Sequence, residues 1–116
     1  MSPLASVWPW LNAFVFTQVV EVPIYRYAMG GRTLTAFGAS ALTHPIVWFV
    51  FPRLPWWHGS YLVMIAAAET FAVVVEAIYL WLFGLRGASR AFLWSLAANS
   101  ASCSLGLVSR AIFGRP

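Results

Sequence analysis

The sequence predicts an all-α integral membrane protein, a single domain over residues 1–116 folded as an up-down-up-down bundle of four transmembrane helices. Three observations predict it. Hydrophobic residues make up 61% of the chain and charged residues only 9%, with a mean hydropathy of +0.78, whereas soluble domains run near a quarter charged. A chain this short has too much surface for its volume to hide so much apolar side chain in one core, so lipid must cover what the core does not. Lastly, four apolar stretches, each long enough to cross a hydrocarbon layer of about 30 Å, follow one another with short breaks of glycine, proline and arginine.

The first span runs over 7–28, opened by Trp8, Pro9 and Trp10 and closed by Met29-Gly30-Gly31-Arg32. No basic segment precedes it, so a cleaved signal peptide is not expected. The second runs over 34–52 and stops at Pro52-Arg53-Leu54-Pro55; the third, over 60–83, stops at Gly84-Leu85-Arg86-Gly87; the fourth covers 91–112. Glycine and proline at these points are strong breakers. Connections this short make sequential helices antiparallel neighbours, with both termini on one side. Trp8, Trp10, Trp48, Trp56 and Trp57 would form an aromatic belt at one membrane face, with Trp81 and Trp94 marking the other.

The net charge of +4 comes from seven arginines against three glutamates, with neither lysine nor aspartate. Arg26, Arg32, Arg53, Arg86, Arg90, Arg110 and Arg115 lie singly or in pairs at the ends of apolar runs, as anchors and topology signals do. No basic cluster exists to neutralise a row of phosphates, so nucleic acid is not an expected partner. Counting loops alone, Arg26, Arg32, Arg86 and Arg90 outweigh Arg53, which places 26–33 and 84–90 in the cytoplasm of an inner or plasma membrane. The single cysteine, Cys103, lies within the last span and reads as a small buried hydrophobe.

All three acids, Glu21, Glu69 and Glu76, fall inside the spans. A carboxylate near the bilayer centre is costly, so such residues face the bundle interior and find partners. Glu69 and Glu76 are two helical turns apart and share one face, about 10 Å from each other along the axis. In the first span Gln18, Glu21 and Tyr25 form a polar strip at i, i+3, i+7. Pro23 and Pro45 cannot donate to the carbonyls of Val19 and Ala41, which leaves those oxygens available to a proton, a cation or a water. In the fourth span Ser95, Asn99, Ser102, Gly106 and Ser109 make a small, polar packing seam.

Counting about 1.5 Å per residue from the face carrying the N-terminus puts His44 and Glu69 at one depth and Glu21, Glu76 and Asn99 at a deeper one. The upper layer would pair an imidazole with a carboxylate. The lower would gather two carboxylates, which cannot both stay ionised in low dielectric without a cation. The expected proton- or cation-binding residues are therefore Glu21, Glu76, Glu69, His44, Asn99 and Gln18, in a homo-oligomer or a larger membrane complex.

Two other readings are open. His44 and Glu69 would supply nitrogen and oxygen ligands to a divalent metal, as in an intramembrane metal-dependent hydrolase, although no HExxH spacing is present. Alternatively, the polar groups serve helix association in a non-catalytic accessory subunit. In size, span number and a glutamate of the first span the chain resembles small multidrug-resistance transporters, a likeness of architecture only. Glu21-Val22-Pro23, Thr43-His44-Pro45 and the Glu69/Glu76 pair are not that family's pattern, and the adjacent glutamates of CAAX-type proteases are absent.

Overall fold

The computed structural model describes residues 3–54 and 60–113. Trp56, Trp57, His58 and Arg115, to which the sequence assigns belt, loop and anchor roles, lie outside the described residues. Helix α1 spans Pro3–Ala28, α2 Thr33–Phe49, α3 Tyr61–Phe83 and α4 Ala88–Phe113, and a 3₁₀ turn over Phe51–Arg53 extends α2. No strand occurs among the described residues.

Three of these elements are long and apolar enough to cross a membrane: α2 with its 3₁₀ extension, α3 and α4. Of the four spans the sequence predicts, these three meet both conditions. Helix α1 has the length, at 26 residues, but Asn12, Gln18, Glu21 and Arg26 interrupt its apolar run. Each helix is stopped locally. Gly30 adopts φ 67° just past α1, a left-handed conformation that costs glycine nothing, and the Gly31 amide then reaches back to the Arg26 carbonyl at 2.8 Å, satisfying an end-of-helix acceptor. Arg32 bonds the carbonyls of Phe83 (3.0 Å) and Gly84 (3.5 Å), capping the electronegative end of α3. Ser60 caps the other end by accepting from the Val63 amide.

The four helices pack as a ring, α1 beside α2 and α4, and α3 beside α2 and α4; across the diagonal the described backbones stay apart, and α1 and α3 meet through long side chains such as Tyr25 and Glu76. Small side chains permit the close approach: Ala36, Ala39, Ala91 and Ala98 are fully buried around Tyr25 and Leu80. Of the larger side chains that are completely buried, all but Leu80 carry a polar atom: Tyr25, Glu21, Glu76, Thr43, Ser40 and Ser95. The exposed surface has the opposite character, with Val19, Leu34, Leu62, Trp81 and Ile112 turned outward. Water would not support that inversion, and a hydrocarbon medium does. The protein is a membrane-embedded helical bundle with a polar interior.

Trp10 and Trp94 are half-buried against neighbouring rings. The Trp10 ring stacks on Phe14 and leans on Phe49, its indole nitrogen buried without an acceptor among the described residues. Trp94 packs against the core and edge-on to Tyr27. Trp8 and Trp81, by contrast, are exposed.

Candidate functional site

The polar interior is built from one or more groups on every helix. Helix α1 brings Glu21 and, one turn later, Tyr25; α2 brings Ser40 and Thr43; α3 brings Glu76; and α4 brings Ser95, Asn99 and Ser102. These positions repeat at three- and four-residue steps, so each helix turns one polar edge to the ring's centre.

Glu76 is 1% exposed and accepts from three neighbours. The Tyr25 hydroxyl donates to its Oε1 at 2.6 Å, the Asn99 amide to the same oxygen at 3.2 Å, and the Thr43 hydroxyl to Oε2 at 2.5 Å. Glu21, also 1% exposed, takes the Ser40 hydroxyl on one oxygen and the Ser102 hydroxyl on the other, the latter at 2.5 Å. The two carboxyls line one and the same cavity. Asn99 ties the network together, its amide reaching the Tyr25 hydroxyl (3.3 Å) and the Ser95 carbonyl (2.9 Å) as well. Ser95 donates to the Val73 carbonyl at 2.7 Å, joining α4 to α3. Every one of these donors is neutral, so each carboxyl is solvated as in a polar liquid but not charge-balanced.

A cavity of about 100 Å³ opens beside this network, lined by Glu21, Glu69, Glu76, His44, Asn99 and Ser102 among others, and no arginine reaches its wall. At about 30 Å³ each, it has room for roughly three waters. All three glutamates therefore meet one small, partly open space. Glu69 differs from the other two: it is only half-buried, receives no hydrogen bond from the described residues, and also borders an open groove on the outer face between α3 and α4.

Five of the six residues expected to bind a proton or cation line this cavity. Gln18 does not. It is buried on the α1–α2 contact, where its amide donates to the Phe37 carbonyl at 3.3 Å and its own oxygen has no partner among the described residues. The expected pairing of His44 with Glu69 is not formed. The imidazole lies among Trp10, Phe14 and Trp48, stacked on the last, and its Nδ1 is buried without a partner. Aromatic neighbours one turn away on α2 and across on α1 hold the ring. Nor do His44 and Glu69 belong to a ligand set, since no group of three histidine, cysteine, aspartate or glutamate side chains suited to a metal occurs among the described residues.

Sequence reasoning missed Ser40 altogether, and took Ser102 for packing when it is a direct partner of Glu21. The available signal was on α2, where Ala36, Ala39, Ser40 and Thr43 recur at helical spacing as one small-residue face. Compared with protein-family models, with curated proteins and with solved structures, the chain finds no match in any of the three.

Proposed function

We propose that this protein is an up-down-up-down bundle of four spans, α1 included, whose internal carboxyls bind and relay a proton or a small cation. One observation carries the reading: Glu21, Glu76 and Glu69 converge on a single small, partly open cavity, and no arginine is among its described lining residues. Two carboxyls facing one small cavity in low dielectric retain a proton between them or hold a cation, because no described cation at hand neutralises the second charge. Hydroxyl and amide partners suit either occupant. They donate to an ionised carboxylate and rotate to accept when a proton or cation arrives.

Glu69 stands where an exchangeable group belongs, between the enclosed pair and the outer surface. The contacts support the antiparallel arrangement: from Trp10 with Phe49, through Phe14 with His44, to Arg26 with Thr33, positions rising on α1 meet positions falling on α2. A single bundle encloses little space, so passage across the bilayer would be completed in a homo-oligomer or with a larger membrane partner.

The test is flux in proteoliposomes under an imposed pH gradient or cation gradient. Glu21→Gln and Glu76→Gln are expected to abolish flux, and Glu69→Gln to slow it, while Asp at the same positions retains part of it. Wild-type flux in all three glutamine variants would refute the proposal.

A further inference from the structure

The groove between α3 and α4 holds about 410 Å³, within the range of sites for small organic ligands. It is polar at one end and apolar at the other. Glu69, Ser100 and Ser104 form the polar end; Val73, Val74, Phe92 and Leu96 form the rest. Val74 and Phe92 also wall a second, almost wholly apolar depression of about 250 Å³ that continues along the same helices past Ile78 to Trp81. From Glu69 to Trp81 the furrow thus follows twelve residues of α3, about 18 Å.

Its chemistry specifies an occupant. Glu69 is the one carboxyl among the groove's described residues, and it has no donor among them. A carboxylate facing hydrocarbon is strongly favoured by a cation brought beside it. A hydrated inorganic ion would find the remaining wall unsuitable, and a phosphate-bearing lipid head would bring a negative charge toward Glu69. Glu69 also lies eight residues into α3, about 12 Å from its start, deeper than a hydrated headgroup sits. An ammonium group on a hydrocarbon chain satisfies all of these conditions.

We propose that this furrow binds a long-chain primary amine, its ammonium at Glu69 and its chain laid along Val74 and Phe92 toward Trp81. The inference goes beyond the relay, and it does not require Glu21 and Glu76 to pass anything on. It is tested by electron paramagnetic resonance on the full chain in phosphatidylcholine nanodiscs, titrated with spin-labelled octadecylamine and with the equally labelled octadecanol.

The expected result is a saturable, motionally restricted component that favours the amine over the alcohol by about tenfold, a preference that Glu69→Gln removes. Leu96→Trp, which fills the groove from its exposed lip away from the buried network, is expected to remove restricted binding of the amine as well. Equal restriction of amine and alcohol in the wild type would mean ordinary boundary lipid and would overturn the proposal. So would an amine preference that survives either substitution. Because the readout is binding rather than flux, failure here leaves the relay standing, and loss of flux leaves this site standing.

Discussion

A single carboxyl on α3, that of Glu76, touches all three other helices through Tyr25, Thr43 and Asn99. Removing one donor leaves the acceptor with two others, so the cost is modest. Tyr25→Phe is expected to destabilise the bundle by about 1 kcal/mol, the scale of a hydrogen bond between membrane helices, as measured by reversible unfolding in mixed micelles. An unchanged stability would mean that the 2.6 Å contact contributes nothing net. At this scale the sequence was informative about the acids and Asn99 and silent about the hydroxyls that serve the acids. Glutamate inside an apolar run is conspicuous because its cost in lipid is high. Serine and threonine in a membrane helix routinely bond their own backbone, as Thr70 does to the Ala66 carbonyl, so nothing in the letters separates Ser40 from any other serine.

Between elements, the closeness of α2 and α3 depends on Gly38. A methyl group built there would run into the Tyr79 hydroxyl, which itself donates to the Thr35 carbonyl at 2.9 Å. Gly38→Ala is therefore expected to cost about 1–3 kcal/mol through overpacking, and the cost should shrink in a Tyr79→Phe background because the obstructing atom is gone. Strict additivity of the two changes in the same unfolding assay would argue against the contact. Helix positions were largely legible, since apolar length and breaker residues determine them: the third span was expected at 60–83 and the helix is Tyr61–Phe83. Helix rotation was legible only where a charged or strongly polar residue marked the inner edge. His44 lines the cavity, but its neighbours were not legible, because an imidazole carries apolar faces and here rests among aromatic rings.

For the molecule as a whole, the distribution of polarity separates inside from outside, and the proposed topology follows from the short connections. Single cysteines introduced at Arg32 and Arg86 in a Cys103→Ser background are expected to react with a membrane-impermeant maleimide from one side of the bilayer, and a cysteine at Arg53 from the other. Labelling of Arg32 and Arg53 positions from the same side would remove α2 from the membrane and the bundle topology with it. The overall class was readable from composition because lipid reverses the usual placement of apolar side chains. What the ring encloses was not, since a cavity arises from the joint packing of four helices.

Among the described residues no guanidinium or ammonium lines the cavity of Glu21 and Glu76, and for the proposed relay this has an electrical consequence. A positive charge arriving there is not exchanged for one already present, so the step moves net charge part of the way through the membrane's electric field. A full crossing at 100 mV is worth about 2.3 kcal/mol per elementary charge. Occupancy of the pair is thereby tied to voltage, and a resting cell would bias the carboxyls toward filled or empty according to which side supplies the charge.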